Sequence, residues 1–248
     1  MSPFVAEFLG TTLLVLFGNG VVANVVLAKT KGHNAGWIVI TAGWAMAVYI
    51  GAFCSAAYSD AHLNPALTLA NVAAGKFTMM KASEYILAQM LGAITGGTLV
   101  FAFYRAHFLA SDDADGKLAC FCTAPNIRGN LQALFCETVG TFALVLPIFL
   151  MAPASVKYPG VEESAPIGLG SLGLLPVALL VFGIGLSLGG TTGYAINPAR
   201  DLGPRLVHAI LPIPGKRDSD WGYAWVPVIG PIIGGVLAAL VSRLLLTK

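Results

Sequence analysis

Two short stretches decide how this chain folds: His62-Leu63-Asn64-Pro65-Ala66, and Ala195-Ile196-Asn197-Pro198-Ala199, which runs on into Arg200 and Asp201. Asn is a strong helix N-cap, and Pro suits the first helical position, where its missing N–H costs nothing. Each triplet therefore predicts the start of a helix, set inside apolar sequence where a bilayer protein seldom starts one. The apolar run after Asn64 ends at Gly75, placed as a C′ glycine. A helix of about ten residues rises roughly 15 Å, half of a hydrocarbon core near 30 Å. Two such half-helices, entering from opposite sides, would meet at the midplane with their Asn caps. That arrangement makes a pore.

The surrounding composition agrees. Of 248 residues, 56% are hydrophobic and 10% charged, with a mean hydropathy of +0.78. A soluble domain carries about 25% charge, so the expectation is one integral membrane domain over residues 1–248. A formal net charge of +2 without any basic cluster excludes nucleic acid as a partner. Met1-Ser2-Pro3 lacks the basic start of a cleaved signal peptide. Cys54 and Cys136 lie in apolar segments and read as small core residues. Cys120 and Cys122 flank one residue in a polar loop, too close for an easy mutual disulfide and short of ligands for a metal. Neither a metal nor a cofactor is expected.

Six segments are long and apolar enough to cross: Phe4–Ala28, Gly36–Ala57, Ala82–His107, Gly129–Met151, Ile167–Leu188 and Ala224–Leu245. The two Asn-Pro-Ala segments follow the second and fifth. Trp221, Tyr223 and Trp225 open the last span as an interfacial aromatic belt. The halves, about 1–108 and 129–248, repeat one another. Glu7-Phe8-Leu9-Gly10-Thr11 parallels Glu137-Thr138-Val139-Gly140-Thr141, the Asn-Pro-Ala stretches match, and Leu91 to Gly97 parallels Ile229 to Gly235. Three crossings per half make the second repeat inverted relative to the first. Gly92…Gly96 and Gly230…Gly234 have the spacing that lets membrane helices approach closely. The fold class expected is an all-α membrane protein with six transmembrane helices and two re-entrant half-helices in inverted three-helix repeats.

A single Asn-Pro-Ala reads as a plain cap. Two at repeat-equivalent positions read as paired donors, since the side-chain N–H groups of Asn64 and Asn197 can also point into a lumen. The half-helices bring positive dipole ends to the midplane, which disfavours cations, including hydronium. Arg200, in the first turn of its half-helix, is a charge at membrane depth and so belongs to a water-filled cavity. The alternative, a structural counter-ion to Asp201, is weakened because adjacent helical residues point in different directions. Glu7 and Glu137 have no His or Ser organised around them for acid–base chemistry. They read as structural acceptors for backbone N–H groups in the non-helical segments leading to each Asn.

On these residues the chain resembles the major intrinsic protein family, the aquaporins and aquaglyceroporins, over essentially its whole length. It is most similar to the bacterial glycerol facilitator branch, in the run from Gly189 through Asn197-Pro198-Ala199-Arg200-Asp201 to Arg205. The resemblance implies a selectivity filter of Trp44, Gly185, Tyr194 and Arg200. It implies an acceptor ladder of carbonyls from Asp60, Ala61 and His62, and from Thr191, Thr192, Gly193 and Tyr194. It also implies Lys29 as a partner for Asp201, both termini in the cytoplasm, a plasma-membrane location and a homotetramer with one pore per subunit. The implied function is a passive channel for glycerol and similar small neutral solutes, with some water; dihydroxyacetone, urea, hydrogen peroxide and protonated lactic acid are further candidates.

Two positions depart from the family pattern. Asp60 stands where Gly is usual, and two readings stay open: it braces the loop, or it biases which solutes enter. Tyr194 replaces the commoner Phe, adding a hydroxyl to the filter and slightly narrowing it. A water-selective channel is the alternative within the class, disfavoured by Gly185 and Asp201. An ion-coupled secondary transporter would share inverted repeats and broken helices. It would need titratable groups at the midplane, where only Arg200 is found. An enzyme would need a nucleophile–base pair that the sequence lacks.

Overall fold

A computed structural model describes residues 1–158, 160 and 164–246, so that Lys248 and part of the connection at Pro153–Pro166 lie outside the described residues. Nine α-helices are found among the described residues: α1 Pro3–Val26, α2 Trp37–Ser59, α3 Pro65–Ala73, α4 Met79–Ala110, α5 Ala114–Ala119, α6 Asn130–Leu150, α7 Leu175–Leu188, α8 Pro198–Ile210 and α9 Val226–Leu246. Six spans result, with α3 and α8 as the two half-helices. The even number of crossings puts both ends of the chain on one side, called here the terminal side; the other is the distal side.

The fifth span differs from its expected limits. Ile167 is held outside it, its N–H donating to Ala154 O at 2.8 Å beside a two-residue antiparallel pair, Ser155–Val156 with Ala165–Pro166. Alone, the 14 residues of α7 would rise only about 21 Å. A 3₁₀ turn over Gly170–Leu174 precedes α7 and adds about 10 Å, enough to cross the core.

Packing is organised around the two-fold relation. In one half α1 lies against α2 and α4; in the other α6 lies against α9. Each half-helix packs on the long helix of the opposite half, α3 on α9 and α8 on α4. Close approach is achieved at the small residues. A β-carbon on Gly96 would fall 2.7 Å from Thr12 O, and one on Gly230 would fall 2.8 Å from Cβ of Glu137. Large apolar side chains such as Phe103, Leu131 and Ile210, each 80% exposed, face outward and are left uncovered by the rest of the chain, as suits a membrane protein.

The aromatic belt is smaller than the sequence implies. Trp221 and Trp225 are exposed, but Tyr223 is buried, with the Arg205 guanidinium 5.8 Å from its ring centroid. The cysteines also reverse their expected places. Cys54 and Cys136 are only half-buried, because they sit on outward faces of spanning helices. Cys120 and Cys122 are buried, because the polar connection folds α5 back onto α1. Burial pushes both of these thiols up, well away from the reactive thiolate range.

Candidate functional site

Each half-helix is reached through a short non-helical segment, and a buried carboxylate organises both segments in the same way. Glu7 accepts from His62 N at 2.9 Å, Leu63 N at 2.7 Å and Ser59 Oγ at 2.7 Å. Glu137 accepts from Ala195 N at 3.0 Å, Ile196 N at 2.8 Å and Thr192 Oγ1 at 2.7 Å. Backbone donors that lipid could not satisfy are thereby taken up inside the protein. Left-handed residues fall at matching places in both segments, with φ of 60°, 50° and 48° at Asp60, Ala61 and Leu63, and 83°, 37° and 44° at Gly193, Tyr194 and Ile196. With these N–H groups committed to the two Glu side chains, the carbonyls form the polar edge of each segment.

At the midplane the halves are tied reciprocally. Asn64 Oδ1 caps α3 at Ala66 N, while its Nδ2 donates across to Ile196 O at 2.8 Å. Asn197 Oδ1 caps α8 at Ala199 N, while its Nδ2 donates to Leu63 O at 2.7 Å. One N–H of each amide is spent on this cross-link, and the second is left over. Pro65, Ala66, Pro198 and Ala199 are buried behind the caps.

Two cavities lead to this point. The terminal-side cavity, about 200 Å³, has polar lining at Asp60, Ala61, His62 and the two caps; Val48, Leu144, Ile148 and Val181 form an apolar wall. The distal cavity, about 600 Å³, is lined by Thr191, Thr192, Gly193, Trp37, Arg128 and Arg217, among others. Trp44, Tyr194 and Arg200 line both. These three side chains therefore form the junction.

The Arg200 guanidinium stacks 4.0 Å from the centroid of the Trp44 ring. Its Nη1 is buried with no hydrogen-bond partner among the described residues. Tyr194 closes another side, edge-on to Trp37 at 5.8 Å between centroids. The junction thus pairs aromatic faces with a guanidinium whose donors the protein leaves unused.

The profile described as Major intrinsic protein matches residues 1–242. The chain belongs to the major intrinsic protein family. Among the relatives, the probable glycerol uptake facilitator protein of Thermotoga maritima is 53% identical over 96% of this chain and 97% of its own length. The glycerol uptake facilitator protein of Streptococcus pneumoniae strain R6 is 49% identical, covering 98% and 99% respectively. Among solved structures, the aquaglyceroporin from Plasmodium falciparum superposes with a TM-score of 0.80 at 30% identity, over 98% of this chain and 96% of that one.

Placed on this member of the family, several expectations need correction. Lys29 is exposed and does not reach Asp201. That carboxylate is buried and filled instead: it accepts from Thr123 N and Oγ1, both at 2.7 Å, and pairs with Arg205 at 2.8 Å. Arg205 also donates to Ser219 O at 2.7 Å and Thr123 O at 2.8 Å, pinning two distal loops to α8. Gly185 does not face either cavity. A β-carbon there would meet Thr41 Cγ2 at 2.8 Å and Tyr194 Oη at 3.0 Å, so the glycine leaves room for the tyrosine rather than for a solute. The Tyr194 hydroxyl is accordingly buried in that corner, without a partner among the described residues, and does not narrow the lumen.

Three residues of the site escaped sequence reasoning. Gly18 accommodates Trp44: a β-carbon would lie 2.5 Å from Cη2 of that ring and closer still to two other ring carbons. Trp37 donates its indole N–H to Gly185 O at 2.9 Å and so fixes the backbone behind Tyr194. Gln89 donates to Glu7 and to Thr68, extending the brace of the first loop. Each acts through a contact between elements far apart in sequence, for which no local signal exists.

Proposed function

We propose that this chain is a passive transmembrane channel for glycerol and other small uncharged solutes, with some water, that excludes ions and protons. The observation that carries the reading is the junction: Trp44 and Tyr194 offer aromatic faces, and Arg200 offers donors that no described residue takes. A polyol has one apolar CH edge and one hydroxyl edge, and it fits such a corner on both counts. Below it, the apolar wall and the opposing carbonyls continue the same division. The spare N–H groups of Asn64 and Asn197 offer donors at the centre. Cations meet Arg200 and two half-helix N-termini, which act as fixed positive charge. The relatives named for glycerol uptake support the choice of solute.

In this proposal the terminal side faces the cytoplasm, the location is the plasma membrane, and four copies assemble with one pore each. Counting basic residues favours the opposite orientation, but most of the distal ones are committed to the fold. Lys117 donates to Pro214 O and Lys216 to Leu211 O, while Arg205, Arg128 and Arg217 pair with Asp201, Asp220 and Asp115. Dihydroxyacetone, urea, hydrogen peroxide and protonated lactic acid share the size and neutrality the pore selects.

Purified protein in proteoliposomes should carry glycerol down its gradient at a rate independent of any sodium or proton gradient. Glycerol flux that requires, or is accelerated by, an ion gradient would mean a coupled transporter and overturn the reading.

A further inference from the structure

Asp60 occupies a place that symmetry assigns to glycine. Ser59 corresponds to Thr192, since each donates to the Glu of its own half at 2.7 Å, so Asp60 corresponds to Gly193. Both are left-handed, with φ of 60° at Asp60 and 83° at Gly193. Glycine adopts this conformation freely, whereas a residue with a β-carbon is strained there. A side chain kept at such a position calls for a reason. Its backbone N–H closes α2 on Ala56 O at 3.1 Å, as any residue's would. Its carboxylate is exposed and takes no donor among the described residues, so it does not brace the loop. Asp60 lines the terminal-side cavity and is itself exposed, which puts its charge at the mouth.

The neighbours leave that charge uncompensated. Arg200, at the far end of the same cavity, is the other formally charged residue in its lining. His62, two residues on, is satisfied as a neutral ring. Thr68 Oγ1 gives its proton to Asn64 O, so it accepts from Nδ1 of His62, and Asn71 Nδ2 faces Nε2. From the centre outward the pore is positive: two half-helix N-termini and then the guanidinium. Those groups repel cations and attract anions. The carboxylate has the opposite preference.

We propose that Asp60 is the charge-sorting residue of the terminal-side mouth, gathering small cations there and turning back small anions before they reach the positive centre. An ion of either sign then meets like charge somewhere along its path, an anion at Asp60 and a cation at the centre, whereas a neutral solute is repelled at neither. A unit charge about 7 Å away in water changes the local concentration of a monovalent ion about threefold, in opposite directions for the two signs.

This inference rests on the channel reading, and one experiment separates the two. Glycerol flux through proteoliposomes is measured at neutral pH with ethanolammonium or methanesulfonate equilibrated on both sides, which makes insertion direction immaterial. Flux without either ion tests the channel reading itself and gives each variant its own baseline. Ethanolammonium should inhibit wild type. In Asp60→Asn and Asp60→Gly its inhibition constant should rise about threefold, while methanesulfonate becomes about threefold more effective. Asp60→Gly suits the left-handed backbone, so the result does not hinge on whether Asn is tolerated. In 1 M salt, where the Debye length falls to about 3 Å, the differences should vanish. Equal inhibition constants in all three proteins, a difference that survives high salt, or no inhibition of wild type by ethanolammonium would overturn the proposal.

Discussion

Gly18 is the position where the smallest perturbation should have the largest effect on conduction. It lies on α1 against the six-membered ring of Trp44, the ring that also carries the Arg200 guanidinium 4.0 Å from its centroid. In Gly18→Ala the new carbon would start 2.5 Å from Cη2, against an ordinary carbon contact of about 3.5–4.0 Å, so the ring must retreat by about 1 Å. The helices cannot easily part instead: further along the same contact a β-carbon on Gly51 would sit 2.6 Å from Gly10 O. The ring therefore moves away from α1, disturbing its stacking with Arg200 at the junction of the two cavities. Overpacking of this kind costs about 1–3 kcal/mol, and about 1.4 kcal/mol added to a permeation barrier is tenfold in rate. Stopped-flow light scattering on proteoliposomes of matched protein density should show glycerol flux down about tenfold, with water flux reduced less. Adding Trp44→Phe removes the six-membered ring that collides, and should return glycerol flux above that of Gly18→Ala alone. Wild-type glycerol flux in Gly18→Ala would refute the placement of Trp44 as a lumen wall held by this glycine.

Gly185→His should lose glycerol flux and retain proportionally more water flux, because its β-carbon alone would evict Tyr194 from the corner beside Thr41; undiminished glycerol flux in the same assay counts against that packing. Tyr194→Phe should keep glycerol conduction and leave thermal stability unchanged or higher by about 1 kcal/mol, since the hydroxyl it deletes is buried without a partner. Arg200→Val should raise proton and cation leak above that of wild type, measured as pH-dye dissipation under a membrane potential, with the two half-helix N-termini keeping part of the barrier. Arg205→Met should cost about 3–5 kcal/mol in thermal or denaturant unfolding, because it strands the buried Asp201 carboxylate while loosening both loops it pins.

The parts of this protein legible in its sequence are those set by local chemistry. An Asn before a Pro declares a cap, a long apolar run declares a span, and a repeated Glu in a span declares a structural acceptor. Hence the half-helices and spans lie close to where the sequence puts them. The fifth span is off at its start because Ile167 is captured by Ala154, a partner that no periodicity marks. Arg205 looks like one more loop charge until α8 brings it beside Asp201. Gly18 and Gly185 carry no local signal, for a glycine that hosts a ring is identified only by the ring. Cys120 and Cys122 lie in polar sequence and are buried, because burial of a connecting segment depends on what it folds against.

The two-fold relation governs the scaffold and is broken in the lining. Backbone-bracing Glu, capping Asn and crosswise amide bonds recur in both halves with distances that agree within a few tenths of an ångström. Sequence correspondence between the halves then pairs Arg200 with Leu67, Tyr194 with Ala61, His62 with Ala195 and Asp60 with Gly193. Every one of these eight residues lines a cavity, and no pair matches in chemistry. Broken backbone at membrane depth is tolerable only when fully satisfied, which leaves little freedom in the bracing set. A lumen-facing side chain carries no such duty, so it can change without unmaking the fold. The junction of the two cavities is therefore where symmetry is lost: one half supplies Arg200 and Tyr194, while the first-half residues that match them in sequence, Leu67 and Ala61, have apolar side chains. The same logic makes Asp60 informative, as the one lumen position where the first half carries a charge and the second a glycine.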